Sequence, residues 1–111
     1  MIWRGEVYDI DLGQPIGPEP GYQRPAVVVS VDIINNGPGG LVTVIPVTSR
    51  AYGLRSHIEL DPGMTGLDRS SHARCDQIRS ISTARLARHR GRVNPDELTR
   101  IDQALRFVLD L

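Results

Sequence analysis

The chain has 111 residues, one cysteine, no lysine and no net formal charge. A lone thiol, Cys75, rules out an internal disulfide framework and leaves a zinc site short of its usual ligands. No run approaches the roughly 18 apolar residues of a membrane span, and the amino terminus lacks the pattern of a secretory leader. The expectation is one soluble cytoplasmic domain over residues 1–111.

Residues 5–12 alternate enough to predict a first strand, with Trp3 packing near an edge. Residues 13–24 hold three Gly and three Pro and form a loop longer than a hairpin needs. Pro25-Ala26-Val27-Val28-Val29-Ser30-Val31 reads as a strand buried on both faces. A turn at Asn35–Gly40 leads into a second such strand, Leu41–Val47, giving a central antiparallel hairpin. Pro46 removes one ladder hydrogen bond at its far end.

His57–Leu60 is a short strand. Ser71–Cys75 and Ile78–Ile81 are two further strands or one bent strand, and Ser82 or Thr83 caps a helical turn through Leu86. Gly91-Arg92-Val93 closes the strand series. Asn94, Pro95 and Glu97 then suit the cap, first position and capping box of a terminal helix. Leu98, Ile101, Leu105 and Val108 make its apolar stripe, widened by Ala104 and Phe107. The expected fold is mainly β: a small SH3-like antiparallel barrel with a C-terminal α-helix.

Charge is unevenly spread. Residues 50–92 carry nine Arg against four acids, a net +5, while residues 1–49 carry two Arg against five acids. A basic face on a neutral protein is able to recruit nucleic acid, and also fits an ordinary solvated surface.

Three polar places interrupt the apolar runs. Arg24 precedes Pro25, which favours an extended backbone, so its guanidinium fork is rooted on a strand and suits phosphate oxygens. Read alone, it suits a loop salt bridge to Glu19 slightly better. Thr48 ends the Ile45-Pro46-Val47 run with a hydroxyl donor; from the residues alone a strand-end bond to the following loop is the commoner use of such a threonine. Arg74 and Asp76 flank Cys75, and on a regular strand they share one face. By the same alternation Cys75 points away, as a small buried hydrophobe. Asp76 suits a base and Arg74 a charge stabiliser, since its very high pKa makes proton donation costly. His57, His72 and His89 are too scattered to suggest a metal site, so neither metal nor cofactor is expected.

The whole chain resembles the MazF/PemK/Kid family of toxin endoribonucleases. The likeness rests on Arg4-Gly5-Glu6-Val7, on Gly17–Pro25, on Pro46-Val47-Thr48-Ser49 and on Arg74-Cys75-Asp76-Gln77-Ile78-Arg79. It implies a MazF/CcdB-like fold, usually dimeric, that cleaves single-stranded RNA, commonly messenger RNA, without a metal. The implied products carry 2′,3′-cyclic phosphate and 5′-hydroxyl ends. The implied catalytic residues are Arg24, Thr48, Arg74 and Asp76. The implied partner is a small antitoxin whose disordered tail occupies the RNA groove. Pro18 stands where some relatives carry histidine, so that loop brings no imidazole to the reaction. RNA contacts are expected from Glu19, Tyr22, Gln23, Ser49, Arg50, Tyr52, Arg55, Arg69, Gln77 and Arg79. The two tyrosines are read as stacking platforms. A noncatalytic RNA- or protein-binding module and a gyrase-directed toxin of the same fold are the competing readings.

Overall fold

The computed structural model describes residues 1–14, 16–18 and 22–111. Among the described residues seven strands run in the order β1 (Glu6–Asp11), β2 (Gln23–Val28), β3 (Leu41–Thr48), β4 (His57–Leu60), β5 (Ser71–Arg74), β6 (Arg79–Ser82) and β7 (Leu86–Arg92). A single helical turn, α1 (Asp32–Asn35), separates β2 from β3, and α2 (Pro95–Leu109) ends the chain.

β2 and β3 form the antiparallel centre, with Val27 opposite Ile45. Both are buried on both faces, as their unbroken apolar runs require. Val27, Val29, Ile45 and Val47 join Leu60, Ala73, Cys75, Ile101 and Ala104 in one core. The alternate residues Ala26, Val28, Val42 and Val44 join Ile10, Leu12 and Ile81 in a second. β2 ends earlier than its sequence suggests. The Thr43 N–H bonds to Ser30 Oγ at 2.9 Å, and buried Asn35 donates to the Ser30 carbonyl at 2.9 Å. Side chains thus replace the ladder and turn the chain into α1.

The expected barrel is not what forms. The sheet is open, in the order β4-β5-β3-β2-β1-β7, with β6 pairing β3 off that path. The cause is the outer edge of β3. Its first half, Leu41–Val44, pairs with β6, and its last two residues pair with β5. Between β5 and β6 the chain leaves the sheet in a 3-10 turn at Cys75–Gln77. The β4 and β7 ends are joined by a loop contact instead of a ladder, Arg92 N–H to the Met64 carbonyl at 2.8 Å. Two glycines permit that approach. A Cβ on Gly91 would sit 2.1 Å from the Met64 oxygen, and one on Gly66 2.1 Å from the Arg90 oxygen.

α2 forms where its caps dictate. Asn94 Oδ1 accepts from the Glu97 N–H at 2.7 Å, and Glu97 Oε1 accepts from the Asn94 N–H at 2.8 Å. Ile101 and Ala104 are buried, while Phe107 remains exposed. Among the described residues, no helix is long and apolar enough to cross a membrane.

Candidate active site

An open groove of about 440 Å³ is walled by the β2 entry, the β3 exit and the loop before β5. Arg24 and Thr48 both line it, with Tyr22, Gln23, Ser49 and Arg69. The β2–β3 ladder carries these two side chains together. It reaches Ala26 opposite Pro46, and both strands then continue two residues into the groove. Arg24 is also held through its backbone by β1, opposite Ile10. Tyr22 is exposed, with φ +58°. Its N–H donates to the Gly13 carbonyl at 2.5 Å, and its carbonyl accepts from the Leu12 N–H at 2.9 Å. Those two bonds pin the ends of the long loop.

Thr48 is 8 % exposed, and its Oγ1 accepts from the Arg50 N–H at 3.2 Å. With one lone pair so engaged, the hydroxyl hydrogen is directed elsewhere. Thr48 is opposite His72 in β5, so the two share a sheet face. Arg74 lies two residues beyond His72 and shares that face too.

Arg74 and Asp76 do not line the groove itself. They belong to an adjoining cluster with Tyr52 and His57. The Arg74 guanidinium lies 5.6 Å from the Tyr52 ring centre, and that of Arg50 lies 5.3 Å from it. β5 ends at Arg74, one residue short of the strand expected to Cys75, so the regular pleat that would have put Asp76 on the face of Arg74 does not reach it. The Cys75 N–H instead bonds to the Ser56 carbonyl at 3.0 Å, and the 3-10 turn swings Asp76 back onto His57, Oδ1 to Nε2 at 3.2 Å. His57 is the Cα partner of Arg74. The turn, not the pleat, therefore brings Asp76 to the side that Arg74 occupies. Gln77 closes the same turn.

Cys75 is buried as expected. Burial, then the neighbouring Asp76 charge, push its thiol up to about 12, so it carries no nucleophilic thiolate near neutrality. Arg55 stands apart, its guanidinium 4.0 Å from the Phe107 ring on α2. Arg79 is on β6 opposite Val44, outside the groove lining. Glu19 lies outside the described residues.

Two residues join the site without a role assigned to them from the sequence. Arg90 lines the groove, bonds Asp9 at 3.0 Å and donates to the Gly66 carbonyl at 2.8 Å, fastening the groove-side loop to β1. His57 pairs with Asp76. Neither has a local signature, because each partner is distant in sequence. Among the described residues, no group of three or more His, Cys, Asp or Glu side chains is placed to hold a metal ion.

Fold and site together define a small open-sheet protein with an arginine- and hydroxyl-lined groove suited to a phosphodiester. Residues 3–109 match the family model described as the PemK-like, MazF-like toxin of type II toxin–antitoxin systems. The chain belongs to that family. It is 44 % identical to the endoribonuclease MazF9 of Mycobacterium tuberculosis, covering 100 % of this chain and 98 % of the relative. It is 32 % identical to the endoribonuclease EndoA of Bacillus subtilis, covering 100 % and 97 %. The crystal structure of MazF from Deinococcus radiodurans superposes with a TM-score of 0.84 at 29 % identity, covering 99 % of this chain and 97 % of that one.

Proposed function

We propose that this protein is a toxin endoribonuclease that cleaves single-stranded RNA without a metal, leaving 2′,3′-cyclic phosphate and 5′-hydroxyl ends. Endoribonuclease activity follows from family membership and full-length identity to endoribonucleases. The observation that supports the chemistry is the pairing of Arg24 and Thr48, from different strands, in one groove.

In this reading the Arg24 fork holds the non-bridging phosphate oxygens, and the Thr48 hydroxyl donates to the same group. Asp76 takes the proton from the 2′-hydroxyl as that oxygen attacks phosphorus; the bond to the 5′-oxygen breaks, and the departing oxygen takes a proton from water in the open groove to become the 5′-hydroxyl. Arg74 offsets the negative charge that grows on the phosphorane. Tyr22 and Tyr52, both exposed, offer faces on which unpaired bases stack. A single strand suits this groove because its base edges are open to contact, unlike those of an A-form duplex.

The partner is a small antitoxin with a disordered inhibitory tail, consistent with the type II class. A homodimer is supported by the exposed apolar side chains Val31, Ile33, Ile34 and Leu41 on a small body, and sedimentation across a wide concentration range tests it. The deciding experiment maps 5′ ends from a mixed-sequence RNA pool in the presence of chelator. Wild-type protein should yield discrete 5′-hydroxyl ends, and R24A and T48A should each slow cleavage by about 10²–10³-fold. RNA bound tightly but left intact would make the chain a noncatalytic binder, and a requirement for added metal would remove the proposed chemistry.

A further inference from the structure

Beside the groove lies a buried imidazole that the reaction above does not use. The His57 side chain is 3 % exposed, with Nε2 3.2 Å from Asp76 Oδ1. Its Nδ1 is buried and has no hydrogen-bond partner among the described residues. Tyr52 meets the ring edge-on, with centres 5.7 Å apart. Charged neighbours among the described residues include Asp76 on the 3-10 turn and Arg74 across the β4–β5 ladder.

This environment selects one tautomer of the ring. An Nδ1–H tautomer would aim the Nε2 lone pair at a carboxylate and bury a donor with nothing to receive it. The Nε2–H tautomer satisfies Asp76 and leaves only an acceptor unpaired, the smaller cost. His57 is then a rigid donor on a strand, walled in by Tyr52. Asp76, by contrast, sits on a turn with its side chain 35 % exposed.

We propose that His57 is a positioning residue: its Nε2–H holds one oxygen of Asp76 and fixes the carboxylate on the sheet face shared by Thr48 and Arg74. This rests on the reading of Asp76 as the base. Too buried to reach RNA itself, His57 acts only through Asp76. An unheld carboxylate would rotate on its turn and present its oxygens to the 2′-hydroxyl for a fraction of the time.

The test compares H57A, H57Q, D76A and the H57A/D76A double variant in single-turnover cleavage of a mixed-sequence transcript. Gln is the informative replacement, because its amide nitrogen reaches about as far as Nε2 and donates without titrating. H57A should slow cleavage by about 10- to 100-fold, at unchanged cut sites and with RNA binding altered by no more than about 2-fold. H57Q should return to within about 3-fold of wild type, and the double variant should be no slower than D76A. Long-range ¹H–¹⁵N spectra should show the Nε2–H tautomer of His57, and loss of that preference in D76A.

H57A at the wild-type rate, H57Q as slow as a folded H57A, or multiplying effects in the double variant would overturn the proposal. So would an Nδ1–H tautomer of His57, a measurement that needs no cleavage. A wild-type chain that cuts no RNA would overturn the endoribonuclease reading and this proposal together. A cutting enzyme indifferent to H57A would overturn this proposal alone.

Discussion

Glu97 is 1 % exposed, yet its carboxylate joins α2 to the groove. Oε1 accepts from the Asn94 N–H and Oε2 from the Asp61 N–H, each at 2.8 Å. The Asp61 carbonyl accepts from Thr65 Oγ1 at 2.8 Å, and Thr65 Oγ1 accepts from the Leu67 N–H at 3.3 Å. Leu67 lines the groove. Glu97→Ala removes two charge-assisted bonds, each worth about 1.5–3 kcal/mol. Water entering at the half-buried ends offsets part of this, so the lower bound of about 3 kcal/mol is the working figure. At about 4–8 °C per kcal/mol, the melting midpoint should fall by about 12–24 °C. Glu97→Gln keeps one acceptor and should lose about half as much. Thermal unfolding by circular dichroism reads both variants, and cleavage below the lowered midpoint should persist at reduced rate. An Ala variant melting within about 4 °C of wild type would refute the claim that this carboxylate ties helix to loop.

Gly91→Ala should cost about 1–3 kcal/mol by driving a methyl group into the Met64 carbonyl, and should slow cleavage by shifting the groove-side loop; an unchanged midpoint and rate would show that the loop gives way freely. The Cys75 thiol should resist iodoacetamide at pH 8 in the folded protein and react once it is unfolded, as intact-mass analysis would show. Its folded pKa is raised from 9.0 to about 12. The unfolded chain therefore loses this proton first, and the stabilising contribution is complete below pH 9 and declines as pH climbs from there toward 12. The slope of unfolding free energy against pH in that window should flatten in C75A.

Interactions spanning a few residues were readable from the chain alone. The terminal helix is announced by Asn94, Pro95 and Glu97, because a capping box closes within one turn. The doubly buried β2 and β3 follow from unbroken apolar runs, and the small 3-10 turn after Ser82 follows from a hydroxyl that accepts from the Ala84 N–H at 3.2 Å. Arg24 and Thr48 were also legible as candidates, since each sits where an apolar run stops. What no local pattern contains is register between distant segments. The run of short strands implied a closed barrel, and alternation put Arg74 and Asp76 on one face only if their strand stayed regular. Only tertiary packing decided that β3 divides its outer edge between β5 and β6, leaving the sheet open and turning Asp76 onto His57. The same packing set Arg55 on Phe107, away from the groove, and brought Arg90 into it. Helix caps and apolar periodicity act between near neighbours on the chain, whereas a site assembled from four strands depends on pairings the backbone can choose only after it has collapsed.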